Sequence, residues 1–383
     1  MSAFSLDRVP QIESGAGRLD ELGSLAQSLF GAGGTLLLVA DPAMIPLGHA
    51  EHAAASLRAA GYAAPIFAEF QSDPTTVQTD AAATLARQHK AKAVIALGGG
   101  SALDLGKAVA AVAPGDAPSE AYQLCARPFP STPLGKICIP TTSGTGSEAT
   151  RTSVLSNSEH VKVWLWGAEL KADAILLDPH LTVGLPPFLT AATGIDALVH
   201  ALEACTNGNA TAGNSIFCHA ALGLVAKSLE VAVAEPGNLA ARSDLQLAAV
   251  LAGVGIDNCG TAVAHNIGHA LASLRPVHHG RAVGLALMAT LAWNVETDDG
   301  RFAAAAEALG LGRNAKALPD AFEALLRRVG VKVSLTDEGY DISPEQLAAQ
   351  MARPENEAMR RSNFRPIKDA DLLSFARRLL AQA

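Results

Sequence analysis

The sequence predicts two domains, an α/β domain with a parallel sheet over residues 1–187 followed by an all-α domain over residues 188–383. Three observations lead there. The chain of 383 residues is longer than one compact core of ordinary size. Short apolar runs alternate with helical segments as far as Asp178, the pattern of βαβ units and a parallel sheet. Beyond Leu185-Pro-Pro187 the sequence turns to Ala/Leu-rich helical periods. The composition agrees, since a 49% hydrophobic fraction with only 4% aromatic residues describes an Ala/Val/Leu/Gly-rich α/β or helical protein rather than a β-sandwich.

In chain order, Gly34–Ala40 reads as a buried strand stopped by Asp41-Pro42, which leaves Asp41 at the strand's carboxyl end. Residues Ala50–Ala60 have helical composition, Pro65–Phe70 reads as a second strand, and Ser72-Asp-Pro-Thr-Thr76 is a turn or helix start. The helix Val77–His89 leads into the strand Lys92–Leu97, Gly135–Ile139 is another strand, and Asp173–Asp178 is the last strand candidate. In the helical half, loops are expected at Thr206–Asn214, Arg275–Gly280 and Gly330–Ser343.

Charge and cysteine content exclude several classes. With 29 Lys+Arg against 37 Asp+Glu, a net charge of −8 and no basic cluster, nucleic acid is not expected as a partner. The N-terminal Met1-Ser-Ala-Phe-Ser-Leu-Asp-Arg has no apolar signal core. No apolar run is judged to approach the ~18 residues of a membrane span, so a soluble protein without a membrane partner is expected. Cys125, Cys138, Cys205, Cys218 and Cys259 are odd in number and show no C-x-x-C spacing. Neither a disulfide framework nor a thiolate zinc site is indicated, which fits a reducing cytoplasm.

Two loops carry the first chemistry. The strand Lys92–Leu97 runs into Gly98-Gly-Gly-Ser-Ala-Leu-Asp-Leu-Gly-Lys107 and then an Ala-rich helix. Glycines allow close backbone approach to a pyrophosphate, and the N–H groups of a helix start favour an anion. The pattern is not G-x-G-x-x-G, and such turns are often only tight turns. A second loop, Ile139-Pro-Thr-Thr-Ser-Gly-Thr-Gly-Ser-Glu148, follows the next strand with a dense series of hydroxyls. Two such loops in one α/β half point to a nucleotide between them, against the plainer reading of a solvated Ser/Thr/Gly loop. Asp41, at a strand end, has the chemistry to accept hydrogen bonds from ribose hydroxyls and repel a 2′-phosphate, although most Asp-Pro pairs are merely turns. It also lies upstream of the glycine loop, outside the usual dinucleotide fingerprint.

The helical half carries the second. In Thr190–Glu203, Asp196 and His200 stand one helical turn apart and share a helix face. His265-Asn-Ile-Gly-His269 repeats the spacing, and Val277-His-His-Gly280 adds two imidazoles. A lone histidine on an Ala-rich helix is more often a hydrogen-bonded core residue than a ligand. A carboxylate in an apolar helix is harder to dismiss, because burial without a cation or several donors is costly. Together the three segments can bring four groups to one divalent cation. Imidazole and carboxylate suit Fe²⁺, Zn²⁺, Co²⁺ and Ni²⁺ alike, and spacing does not choose between His265 and His269, or between His278 and His279.

Taken together, Gly98–Ser101 with Asp104 and Lys107, Pro140–Glu148, Leu185-Pro-Pro187, Gly194–Glu203 and His265-x-x-x-His269 with His279-Gly280 resemble the iron-containing (group III) alcohol dehydrogenases. The resemblance covers nearly the whole chain, to Asn363-Phe-Arg-Pro366. It implies an N-terminal dinucleotide-binding α/β domain and an all-helical metal-binding domain, with NAD and a divalent metal, Fe²⁺ foremost, in a cleft between them. Carried over residue by residue, it implies Asp196, His200, His265 and His279 as metal ligands and His269 as a catalytic, non-ligand histidine. It further implies Asp41, Asp73, Gly99, Gly100, Ser101, Thr141, Thr142, Thr145, Thr152 and Lys162 as contacts of NAD. Where this chain has His278-His279-Gly280, many relatives have Pro-His-Gly. The spacing of fourteen from His265 and the following glycine favour His279 as the ligand.

The activity implied is a metal-dependent NAD(H) oxidoreductase interconverting a small alcohol and its aldehyde or ketone by hydride transfer, the metal polarising the substrate oxygen. His269 is placed as a proton relay. Alternatives in the same family are a hydroxyacid-oxoacid transhydrogenase and a hydroxy-acid dehydrogenase, for which Arg151 and Arg275 are possible carboxylate partners. A dehydroquinate-synthase-like lyase lacks a basic cluster here, and a non-catalytic nucleotide-binding relative would lack ligands. Maleylacetate reductases lack this complete ligand set. A short-chain primary alcohol or its aldehyde is the expected substrate, and a homodimer the expected assembly.

Overall fold

The computed structural model describes residues 3–335 and 341–381, so part of the loop expected over Gly330–Ser343 lies outside the described residues. The chain divides into two compact units. One runs from Arg8 to Thr142 and from Gly146 to Gly184. The other holds the residues up to Asp7, the short stretch Ser143–Thr145 and everything from Leu185 onward.

The first unit is built on strands β1 (Gln11–Ser14), β2 (Thr35–Ala40), β3 (Ile66–Phe67), β4 (Ala91–Gly98), β5 (Gly135–Pro140), β6 (Thr152–Ser156), β7 (Lys162–Trp166) and β8 (Ala174–Leu177). Its helices are α1 (Leu22–Phe30), α2 (His49–Ala59), α3 (Thr76–Gln88) and α4 (Gly100–Val112). Six strands pair in the order β1-β8-β5-β4-β2-β3, every pair parallel. The central strands are buried along nearly their whole length. This explains why they read as unbroken apolar runs rather than alternating ones. From β2 the chain steps outward to β3, then returns across β2 to β4 and continues to β5 on the other side. The direction of winding therefore reverses between β2 and β4, and in open α/β sheets that switch point is where ligands bind, outside the carboxyl ends of the strands.

The expected second strand over Pro65–Phe70 shrinks to Ile66–Phe67, because it is the sheet's edge and pairs only with β2. The helix that follows starts at Thr76. Thr75 and Gln78 form a reciprocal capping box there, worth about 1 kcal/mol. The sequence reading missed β1, which extends the sheet beside β8, and the antiparallel pair β6–β7.

The second unit is helical: α5 (Pro187–Thr206), α6 (Ala212–Ala234), α7 (Leu239–Cys259), α8 (Val263–Leu274), α9 (His279–Val295), α10 (Arg301–Ala308), α11 (Leu318–Arg328), α12 (Pro344–Met351), α13 (Pro354–Ser362) and α14 (Asp369–Leu380). Leu198, Leu202, Leu222, Leu229, Ile267, Leu285, Leu326 and Phe375 are among the side chains of its continuous core. The Asn363–Pro366 segment is a structural strap. Asn363 donates to Asn294 Oδ1 at 2.9 Å, and Arg365 lies 3.9 Å from the Trp293 ring centre while pairing with Glu296.

One expectation needs correcting. Pro187–Thr206, Ala212–Ala234 and Leu239–Cys259 are each long and apolar enough, by length and composition, to cross a membrane. Scattered Gly, Thr and single charges break the consecutive apolar run without lowering the average of a whole helix. Of the most apolar window in each, 89%, 39% and 61% lies inside the protein, so α5 and α7 spend their apolar surface mainly on this core and α6 does not.

Candidate functional site

Helix α5 starts at Pro187, where a missing N–H costs nothing, and is buried from Thr190 to its end. On this helix Asp196, His200 and Glu203 fall at positions i, i+4 and i+7 of one face. His265 comes from α8 and His279 from the first position of α9. Asp196, His200, His265 and His279 each bring one ligand atom into a group lying within 4.8 Å of one another. From Asp196 Oδ1 the distances are 3.5 Å to His279 Nε2, 3.7 Å to His200 Nδ1 and 3.8 Å to His265 Nε2. These separations are too long for hydrogen bonds and suit atoms that share a common partner. The side chains of Asp196, His200 and His265 are 3%, 6% and 2% exposed, against 32% for His279, so the cluster is reached from the side of His279.

Asp196 Oδ1 and His265 Nε2 are buried and make no hydrogen bond. Leaving such atoms without a partner costs ~1–3 kcal/mol each, and a divalent cation among these four donors satisfies both. The electrostatics point the same way. Burial pushes the Asp196 carboxyl up, but the imidazoles of His200, His279 and His265 outweigh it and hold it below the usual carboxylate range. Burial pushes His200 down to about 4. It works in the same direction on His265, where the neighbouring carboxylate of Asp196 and the hydrogen-bonded carboxylate of Glu203 prevail and raise it to about 9. Asp196 is thus held as the carboxylate and His200 as the neutral imidazole, the forms in which each donates to a cation. The donor set thus fits a divalent metal with nitrogen and oxygen ligands.

Sequence reasoning missed Glu203 as a functional residue. Its Oε2 accepts from the Ala262 N–H at 2.8 Å and lies 2.6 Å from His265 Nδ1, and its Oε1 accepts from the Ala264 N–H at 2.6 Å. One carboxylate therefore caps the N-terminus of α8 and holds the His265 ring with Nε2 turned to the cluster, the usual support for a metal-binding histidine. The signal was present: Glu203 is a second acidic residue on the apolar helix that made Asp196 conspicuous.

Gly280 fixes how closely α9 approaches α5. A Cβ there would stand 2.0 Å from the Ala192 carbonyl oxygen and 3.2 Å from Asp196 Cβ. Gly280→Ala is expected to displace the start of α9, costing about 1–3 kcal/mol in denaturant unfolding and weakening metal retention. An unchanged midpoint with full metal content would show that the approach is not needed.

The other histidines separate clearly. The His269 ring, one turn beyond His265, lies 5.3 Å from that of His279, beside the four-residue cluster rather than in it. His278 is outside the cluster too, edge-on to Phe188 with ring centres 5.5 Å apart.

In the α/β unit, the register pairs Ala40 with Leu97 and Gly98 with Pro140, so the segments after β2, β4 and β5 leave the sheet at one level. Gly98 (φ +150°) would put a Cβ 2.6 Å from Asp41 Cβ and 2.7 Å from Ala102 Cβ. Only glycine lets these loops meet at the switch point. Asp41 caps the turn after β2, its Oδ1 accepting from the Ala43 N–H at 2.9 Å. Gly99 caps α4 without a side chain, followed by Gly100 and Ser101 in the first turn. The N–H of Asp73, a residue at φ +58°, donates to Ser101 Oγ at 3.3 Å, and the Asp73 carboxylate pairs with Lys162 at 2.7 Å. The structure thus gathers Asp73, Ser101 and Lys162. The Thr141 N–H donates to the Gly98 carbonyl, and the Thr142 side chain faces Gly99. Thr152 opens the missed β6–β7 pair, while Thr145 belongs to the helical unit.

Asp104 and Lys107 are structural. Lys107 is fully buried, donates to Ser147 O at 2.7 Å and to Thr152 O, and lies 3.3 Å from Asp104 Oδ1. Asp104 accepts from Ser147 Oγ and the Val154 N–H. Together they clamp the hydroxyl-rich loop and β6 to α4. Arg151 lies over the Trp166 ring at 4.8 Å, and the exposed Arg275 donates to the carbonyls of Leu274 and Asp341.

Comparison with known proteins places this geometry. Residues 10–179 match the model of the iron-containing alcohol dehydrogenase family, and residues 190–380 match that of the C-terminal domain of the same family. The chain is 36% identical over 312 residues to long-chain-alcohol dehydrogenase 1 of Geobacillus thermodenitrificans, covering 81% of this chain and 78% of that protein. It is 32% identical to sulfoacetaldehyde reductase of Bilophila wadsworthia, covering 91% of each. A crystal structure of sulfoacetaldehyde reductase from Bifidobacterium kashiwanohense in complex with NAD⁺ superposes with a TM-score of 0.92 at 28% identity, covering 100% of both chains.

Proposed function

The chain belongs to the iron-containing alcohol dehydrogenase family, and from that premise we propose that it converts short-chain primary alcohols to aldehydes and back, with NAD(H) as the hydride carrier. That it is a metal-dependent NAD(H) oxidoreductase of alcohols and carbonyl compounds follows from the family; the substrate range and residue roles are our reading. The observation that carries it is the buried quartet of Asp196, His200, His265 and His279, with Asp196 Oδ1 and His265 Nε2 lacking any hydrogen-bond partner.

These four residues would hold the metal, with Fe²⁺ the first choice. When bound, such an ion polarises the substrate oxygen and makes an alcohol more acidic. The chain's own residues do the rest. Burial of Asp196, His200 and His265 keeps water from the centre. His269, whose ring lies beside that of His279, is assigned the passing of a proton between substrate and solvent. His269→Ala is expected to lower kcat about 10²-fold and to flatten its pH profile; an unaltered profile would remove the relay assignment.

The NAD contacts are assigned to Asp41, Asp73, Gly99, Gly100, Ser101, Thr141, Thr142, Thr145, Thr152 and Lys162. The first turn of α4 supplies unpaired N–H groups for the pyrophosphate, and Asp41 disfavours a 2′-phosphate. Asp41→Ser is expected to raise the NADPH to NADH ratio of kcat/KM about tenfold, or ~1.4 kcal/mol. A constant ratio would mean that Asp41 serves only its turn.

The hydroxy-acid alternative loses support, since Arg151 and Arg275 both have partners of their own. Five free cysteines support a reducing, cytoplasmic setting, and a homodimer is the assembly the family resemblance suggests; light scattering of the purified chain tests the latter. The main experiment is NADH oxidation by metal-stripped protein reloaded separately with Fe²⁺, Zn²⁺, Ni²⁺ or Co²⁺. The panel comprises short alkyl aldehydes, hydroxyaldehydes, sulfoacetaldehyde and oxo acids. Metal-dependent turnover of alkyl aldehydes is the expected result; turnover of oxo acids alone would replace the reading.

A further inference from the structure

Arg281 is the third residue of α9, two positions after His279, and only 5% exposed. This placement opposes two ordinary preferences. The start of a helix carries partial positive charge, which disfavours a cation there, and a guanidinium taken out of water needs acceptors for its N–H groups. Backbone carbonyls supply them. Arg281 Nε donates to Lys332 O at 3.0 Å and Nη2 donates to Ser334 O at 2.6 Å. Those carbonyls are themselves firmly seated, because Val331, Val333 and Leu335 alternate with Lys332 and Ser334 after α11 and all three side chains are buried in the helical core. One planar fork therefore ties the first turn of α9 to a fixed stretch of the core 51 and 53 residues further along the chain.

The turn that Arg281 fastens bears the exposed member of the cluster. His279 is the first residue of α9, so its ring goes where that turn goes, and it is 32% exposed while Asp196, His200 and His265 are shielded. Asp196 and His200 share α5, and the His265 ring is gripped by Glu203, so their places do not depend on the first turn of α9. On the α5 side Gly280 permits close approach, but a residue without a side chain only makes room. We propose that Arg281 is a positioning residue for the metal centre: by fastening the first turn of α9 to the Lys332 and Ser334 carbonyls it keeps His279 in the cluster. The proposal rests on the reading above that Asp196, His200, His265 and His279 hold a metal. Arg281 itself donates nothing to the ion and acts only through His279.

The experiment measures Co²⁺ affinity, by competition with a chelating indicator, and the visible absorption of the bound ion in four proteins: wild type, Arg281→Met, His279→Ala and the double variant. Arg281→Met keeps a long apolar stem and removes every donor. Loss of a group that supports a metal ligand weakens binding about 10–100-fold, so Arg281→Met is expected to bind Co²⁺ roughly tenfold more weakly than wild type, with an altered spectrum. Three ligands remain in His279→Ala to hold Co²⁺ more weakly. In that background Arg281→Met should change the affinity by less than about twofold, since there is no ring left to position and coupled residues do not add. Arg281→Lys, which keeps the charge and a donor but not the fork, should fall between wild type and Arg281→Met. Should Arg281→Met fail to fold, Arg281→Lys takes its place in the same cycle under the same criterion. Equal proportional losses with and without His279 would mean that Arg281 supports the fold at large, and would overturn the proposal. A wild type that binds no Co²⁺ removes the reading of the cluster and the proposal together, whereas wild-type affinity in Arg281→Met removes the proposal alone.

Discussion

Asp196→Asn should leave a folded protein that binds NADH but retains little metal and turns over aldehydes at least about 10³-fold more slowly. The carboxylate is the negative member of the cluster, and its Oδ1 lies 3.5–3.8 Å from nitrogens on three histidines. Asparagine keeps the shape and removes the charge that balances a dication. The polarisation a metal supplies is worth several kcal/mol, and ~4 kcal/mol corresponds to about 10³ in rate. Metal content by elemental analysis and NADH binding by fluorescence separate this outcome from misfolding. Stoichiometric metal with normal kcat in the variant would show that the chemistry lies elsewhere. The prediction tests whether this chain uses the cluster for its chemistry.

Glu203→Gln should give the second largest effect, and by a different route. All three groups facing this carboxylate are an imidazole nitrogen or backbone N–H donors. An amide cannot accept from them on both sides, because one of its oxygens has become an NH₂ group. The Ala262 or Ala264 N–H is then left facing another donor. A lost buried partner costs about 1–3 kcal/mol, read as a lower midpoint of urea unfolding. Without its carboxylate, the His265 ring is free to turn, and loss of such a supporting group weakens metal affinity about 10–100-fold. The two losses are separable. Excess metal should restore turnover to Glu203→Gln, whereas it should not restore Asp196→Asn. Failure of excess metal to restore any activity would place Glu203 in the chemistry itself rather than behind His265.

The ease with which parts of this protein could be read from its sequence follows the range of the interactions involved. Asp196 and His200 are legible because helical periodicity alone puts them on one face, and an acidic side chain in an apolar helix is conspicuous. Glu203 was equally on that face but was passed over, since its partners lie about sixty residues away at the start of α8. The β6–β7 pair was missed for a similar reason. Its strands are five residues each, mix Ser, Thr and Lys with apolar residues, and gain their stability from each other and from the Asp104–Lys107 clamp.

The sequence by itself determined the α/β-then-helical order, the glycine-rich turn after β4, and the set of histidines from which a metal site could be drawn. These depend on the rotation per residue of helix and strand and on the special backbone freedom of glycine. His279 joins the cluster as the resemblance implied, but only the tertiary structure decided that His278 turns to Phe188, that His265 is held by Glu203, and that Lys107 is a buried clamp. Neighbouring residues on a chain point in different directions, and which direction meets the site depends on how closely α9 approaches α5. Contact between Gly280 and Ala192 sets that approach, and it joins residues nearly ninety positions apart.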